Sequence, residues 1–281
     1  MSAIAASGNP ARETRRLLIL GAGLLATLAI IAIAAPLIAP HDPESVEVSR
    51  VLGAPNLSHP FGSDVLGRDV LSRVIFGLRA SLLVSISAVA GSLIVAVPLG
   101  LAAGYFGRLT DSVISRALDL ILVFPAMLLA IAFIAVLGPG STVAAIAIAV
   151  IYLPILARVM RTATLIVSRN DYVAGARARG AGHLAVISGH VAPNALGPVV
   201  VQASVLSAFA LQLEAGLSFL GLGTQPPTPS LGGMLADGRE VLLQAPWVEI
   251  FPGLAIVVAV LGFTFLGEGL RRLLDPRGVA E

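Results

Sequence analysis

Apolar residues come in blocks of helix length along this chain, separated by shorter stretches in which the charges collect. Residues 1–16 are polar and include Arg12, Arg15 and Arg16, whereas residues 17–40 carry no charge. A helix of that length crosses a hydrocarbon core of about 30 Å. The small residues at 32–35 resemble a signal-peptide cleavage site, but the apolar run exceeds the roughly 7 to 15 residues of a secretory h-region, so it reads as a first span. Residues 41–79 form a polar segment. Within it Leu66, Val70, Leu71, Val74, Ile75 and Leu78 repeat at helical spacing opposite Arg68, Asp69, Ser72 and Arg73. That pattern predicts an amphipathic helix along the membrane surface, with Asp69 and Arg73 placed for an i,i+4 pair.

The second span is residues 80–107, kinked at Pro98, with Ala96, Gly100 and Gly104 in a stripe of small residues that allows tight helix contact. Residues 120–157 are 38 uncharged positions, too many for one helix, and Gly138, Pro139 and Gly140 divide them into two spans. Pro125 and Pro154 lie inside these spans, where neighbouring helices can satisfy the freed carbonyls. Residues 196–221 give a fifth span, 222–249 a polar loop and 250–267 a sixth. The tail, 268–281, carries Arg271, Arg272 and Arg277. The pattern is that of an all-α polytopic membrane protein with six transmembrane helices, five of them in a core over 80–267.

Composition agrees: 57% of the residues are hydrophobic, 12% are charged, and the mean hydropathy is +0.94. There is no cysteine, and every basic residue is arginine. Without lysine the chain has neither a P-loop nor a Schiff-base nucleophile, so any ATP is hydrolysed elsewhere. His41, His59, His183 and His190 show no metal-ligand spacing, and no metal site is expected. No Ser-His or paired-Asp arrangement lies at membrane depth, so no catalytic residue is assigned and the chain is read as a non-enzyme. A secondary transporter would need carboxylates near the bilayer midplane on broken helices; only Glu214 could serve, and it sits toward the outer end of its span. With the amino terminus inside, thirteen arginines fall on inner segments and five (Arg50, Arg68, Arg73, Arg79 and Arg239) on outer ones. The positive-inside rule then puts both termini and the 168–195 loop in the cytoplasm.

That loop interrupts the apolar runs about two thirds of the way along the chain. Ala174, Ala176, Ala178, Gly180 and Ala181 recur at helical spacing, so a helix built from them would let a partner backbone approach closely, with Arg177 and Arg179 keeping it wet. Gly180 breaks that helix and Pro193 ends the next helical stretch. An ordinary cytoplasmic connection is the competing reading. Glu214 poses a separate question, because an ionised carboxylate in hydrocarbon costs about 3 kcal/mol even on insertion scales. It faces protein or water, either as a pathway residue with Gln212 or in a structural pairing. Asp119 and Glu268, near the inner ends of their spans, are placed to pair with Arg116, Arg271 and Arg272.

Several stretches resemble one family. HPFGSDVLGRDVLSRVIFGLRASL at 59–82, the 171–194 loop with Gly180 and Pro193 thirteen apart, EAGLSFLGLGTQPPTPSLGGML at 214–235 and GEGLRRLLDPR at 267–277 are similar to the inner-membrane permeases of ATP-binding-cassette importers for dipeptides, oligopeptides and nickel. The resemblance implies the type I importer permease fold in the bacterial cytoplasmic membrane. It also implies a second permease as heterodimer partner, two ATPase subunits that bind ATP and Mg, an external substrate-binding protein, and no cofactor on this chain. No nucleic-acid partner is expected. Carried onto this sequence, it makes Tyr172, Ala174, Gly175, Ala176, Arg177, Gly180, Ala181, His190, Pro193 and Asn194 the ATPase-coupling residues. The family's loop opens on a glutamate followed by alanine, where this chain has Ala174 and Gly175. Peptide is the implied cargo, with nickel or glutathione-type cargo as the alternative.

Overall fold

The structure, a computed structural model, describes residues 10–274, and these contain no sheet beyond an isolated bridge between Ser63 and Asp69. The chain runs through α1 (Pro10–Ile33), α2 (Val70–Phe106), α3 (Arg108–Leu122), α4 (Ala126–Leu137), α5 (Ser141–Val167), α6 (Asp171–Ala178), α7 (His183–Phe219), α8 (Leu231–Arg239) and α9 (Trp247–Leu274). Helices α1, α2, α5, α7 and α9 are long and apolar enough to cross a membrane, and α3 with α4, bent by 87°, makes a sixth crossing when taken as one. The bend falls at Pro125, which lacks an N–H and pushes the preceding Phe124 out of helical geometry.

The core is built on α2 against α5. A Cβ placed at Gly100 would lie 2.6 Å from the Ala157 carbonyl oxygen, and one at Gly104 would lie 2.7 Å from that of Arg161. Only glycine lets these backbones meet. Ala96 shares the stripe and is fully buried, as are Ala144, Ala147, Ile148, Leu156 and Met160 on the facing helix. Peripheral α1 lies along α9, where Gly262 takes Leu25 and Gly269 takes Leu18. The outer faces carry exposed Ile33, Leu83, Ile94 and Val136, a surface suited to hydrocarbon rather than water.

Boundaries follow local chemistry. Asp69 caps α2, its Oδ2 accepting from the Ser72 N–H at 2.8 Å, and Ser230 caps α8 through the Gly233 N–H at 3.1 Å. Gly107, at φ +62°, ends α2, and Gly138 at φ +88° opens the turn from α4 to α5.

Several sequence expectations are corrected. No separate amphipathic helix lies along the surface: 70–78 is the first part of the continuous 37-residue α2, and its polar face is buried against protein, with Arg73 only 5% exposed. Arg73 approaches Asp64 at 3.4 Å rather than Asp69, whose carboxylate is committed to the helix cap and to His59. Asp119 pairs with Arg158 of α5, not with Arg116, whereas Glu268 meets Arg271 and Arg272 as expected. Pro193 does not end a helix. It sits in α7, immediately after a π-helical turn over Ile187–Val191, where the wider turn relieves the missing donor. The first and last helices extend past the expected spans, from Pro10 and through Leu274; residues 1–9 and 275–281, including Arg277, lie outside the described residues.

Candidate functional site

The 168–195 segment folds as a small helical platform. In α6, Val173 and Ala176 are buried against the same core as Met160, Ala163 and Val167 of α5. Val186 and Val191 fix the start of α7 in the same way. Four buried side chains therefore hold the segment to the membrane helices. Gly180, at φ +86°, turns the chain between α6 and α7 in a conformation that glycine alone adopts freely.

The end of α2 braces the platform. The Arg177 guanidinium stacks 4.6 Å above the Tyr105 ring, and the Tyr105 hydroxyl lies 3.1 Å from His183 Nδ1. Phe106 meets the His183 ring edge-on at 5.8 Å. The residues named from sequence divide accordingly. Tyr172, Ala174, Arg177 and Gly180 are exposed, Gly175 and Ala181 are partly so, and Ala176 points into the core. His190, Pro193 and Asn194 lie about two to three turns up α7, with Asn194 Nδ2 donating to the His190 carbonyl at 2.7 Å. Sequence reading missed Leu184, which is 82% exposed beside these small residues, and Tyr105, which lies in an apolar run with nothing to mark it. The platform thus offers Tyr172 and Leu184 around a patch of alanine and glycine, a shape that another protein's groove can close over.

At the other end of α7, Glu214 is fully buried. Its Oε1 accepts from the Ser218 hydroxyl at 2.7 Å, and its second oxygen lies near the Ser81 hydroxyl without completing a well-formed hydrogen bond. Gln212 points outward on another face of the helix, so the two residues do not line one surface. Near this end of the molecule, His59 Nδ1 and Asp69 Oδ1 are 2.8 Å apart, Arg50 meets His59 Nε2, and His41 stacks on the His59 ring at 4.3 Å. This cluster ties 41–69 to the start of α2.

The model of the family described as binding-protein-dependent transport system inner membrane component matches residues 96–278. The chain belongs to that family. This permease is 42% identical over 265 residues to the dipeptide transport system permease protein DppC of Alkalihalophilus pseudofirmus, covering 94% of this chain and 87% of the relative. It is 39% identical to the glutathione transport system permease protein GsiD of Pectobacterium atrosepticum, covering 95% and 89%. Among solved structures it resembles an inward-facing MetNI methionine ABC transporter chain, with a TM-score of 0.58 at 18% identity over 73% of this chain and 96% of that one. An amino acid ABC transporter solved with histidines gives 0.57 at 18% over 73% and 95%. At that identity the likeness establishes the fold, the type I importer permease fold, and the permease is a multi-pass membrane subunit of a transport system.

Proposed function

We propose that this permease forms half of the translocation pathway of an ATP-driven importer of dipeptides or oligopeptides in the bacterial cytoplasmic membrane. The observation that carries the cargo is the 42% identity, across 94% of the chain, to a dipeptide permease. In this reading both termini and the 171–194 platform lie in the cytoplasm, as the excess of inner arginines favours. Two ATPase subunits, which bind ATP and Mg, close over Tyr172, Leu184 and the small residues between them. A second permease completes the pathway, and an external binding protein delivers cargo to the opposite face. This chain holds no cofactor and no catalytic residue.

A glutathione-type cargo is the second reading, favoured by the 39% identity to a glutathione permease. Uptake of a radiolabelled dipeptide by cells with and without this chain, its operon partners intact, separates the two. Lost uptake, restored by the wild-type gene but not by Gly180→Arg, supports peptide cargo and coupling through the platform. Unchanged dipeptide uptake with lost glutathione uptake moves the cargo to the second reading. Normal transport by Gly180→Arg sinks the docking role.

A further inference from the structure

The start of α2, the turn after α7 and helix α8 enclose a recess of about 210 Å³ at the end of α7 remote from the platform. Arg68 and Arg73, 8% and 5% exposed, form part of its wall. Arg68 donates from Nε to Asp64 Oδ2 at 2.7 Å and from Nη2 to Asp237 at 3.4 Å. Arg73 donates from Nη1 to the Pro43 carbonyl at 3.0 Å and places Nε 3.4 Å from the same Asp64 oxygen. Arg68 Nη1 and Arg73 Nη2 have no acceptor among the described residues. Asp64 has little left to offer, since its Oδ1 already accepts from the Leu66 and Arg68 N–H groups at 2.9 Å each. Asp237 is the other counter-charge, and burial pushes its carboxyl upward, toward the neutral form. Two arginines thus face two aspartates here, and two guanidinium nitrogens remain uncommitted toward the recess.

The walls are also fixed before anything enters. A Cβ at Gly232 would lie 2.8 Å from the Ala215 carbonyl carbon, so α8 is seated directly on α7. The Thr224 N–H donates to Ser218 Oγ at 3.3 Å, and Gln225 Nε2 donates to the Gly221 and Gly223 carbonyls at 3.0 Å each. Sites for drug-sized ligands occupy about 300–1,000 Å³. This recess is smaller and suits the end of a chain rather than a whole ligand. We propose that it binds the free carboxylate end of a peptide, with Arg68 and Arg73 donating to the carboxylate and Asp237 at the rim. The proposal rests on the peptide reading above, and it assigns this chain a cargo contact of its own.

The test is ligand-detected saturation-transfer NMR on the full-length permease with its transporter partners in lipid nanodiscs, without ATP or external binding protein. The probes are L-alanyl-L-alanine and its C-terminal amide. The acid is expected to bind about tenfold or more tighter than the amide, because a charge-assisted hydrogen bond is lost. Arg68→Gln should weaken the acid by a similar factor. Ala236→Phe fills the recess while leaving both arginines in place, and it should abolish the signal at an unchanged thermal midpoint. Equal binding of acid and amide by the wild type overturns the proposal, as does full binding by well-folded Ala236→Phe. A silent acid, together with weaker capture of the binding protein by Ala236→Phe, also overturns it and makes the recess a protein contact. Failure of the peptide reading shows elsewhere, as unchanged dipeptide uptake in cells lacking the chain.

Discussion

Gly180 and Gly182 make a matched pair for separating docking from folding. They lie two residues apart in the turn between α6 and α7, and a Cβ at either finds nothing within 4 Å. Sterically, alanine fits both. The backbone distinguishes them, since Gly180 has φ +86° whereas Gly182 has φ −65°. A side chain in the left-handed region costs about 1–2 kcal/mol, which shifts the equilibrium between turn conformations by about 5- to 30-fold. In Gly180→Ala the turn relaxes toward negative φ and α6 is re-aimed, although Val173 and Ala176 still anchor it. Gly182→Ala carries no such cost. Transport-coupled ATPase activity of the reconstituted complex should therefore fall several-fold for Gly180→Ala and stay at the wild-type level for Gly182→Ala. Both variants should melt within a few degrees of wild type, because the strain is local and exposed. Equal activities would refute the reasoning, and so would a large loss of melting temperature in Gly180→Ala, which would make the turn a folding element rather than an aiming device.

Gly104→Ala should destabilise the permease by about 1–3 kcal/mol through overpacking, read as a lower thermal midpoint, because its Cβ would sit 2.7 Å from both the Arg161 carbonyl oxygen and Thr164 Cβ. Asp69→Ala should cost about 1 kcal/mol in helix capping alone, and more through the lost His59 partner, whereas Asp69→Asn keeps an acceptor for the Ser72 N–H and should lose less; denaturation of the two variants side by side checks the order. Asp237 has a folded-state value raised above the ordinary 3.8, so the folded chain keeps a proton that the unfolded chain releases. Its contribution is most favourable below 3.8 and declines as pH rises through that value toward the folded one. Asp237→Asn removes that falling component, so the thermal midpoint of the variant relative to wild type should rise as pH increases through this range, and a pH-independent difference would count against the assignment.

The hydrophobic blocks were legible because lipid imposes them: Gly138 and Gly140 do turn the chain between α4 and α5, and the Ala96, Gly100, Gly104 stripe does seat α2 on α5. The platform was legible for the same reason, as a polar break holding a glycine that the backbone requires. The polar face of 66–78 was misread because periodicity reports two faces without saying what covers each. Here Asp64 pairs with both Arg68 and Arg73, which draws that face into protein instead of leaving it to water. Pro193 misled for a related reason. A proline forbids one hydrogen bond, and the widened turn at Ile187–Val191 avoids the need for it. Partners far apart in sequence, such as Asp119 with Arg158 or Tyr105 with His183, leave no local trace.

Because that widened turn carries the helix through without a break, α7 is one rod of 37 residues, about 55 Å long at about 1.5 Å per residue. The platform stands at one end, and Glu214 and Ser218 stand near the other. A rigid tilt of about 5° applied at the platform displaces the far end by about 5 Å, more than the width of a hydrogen bond. Events at the two ends of such a rod share a single conformational equilibrium and are thermodynamically reciprocal. Any factor that a partner bound at the platform imposes on binding at the far end, an occupant of the far end returns to that partner.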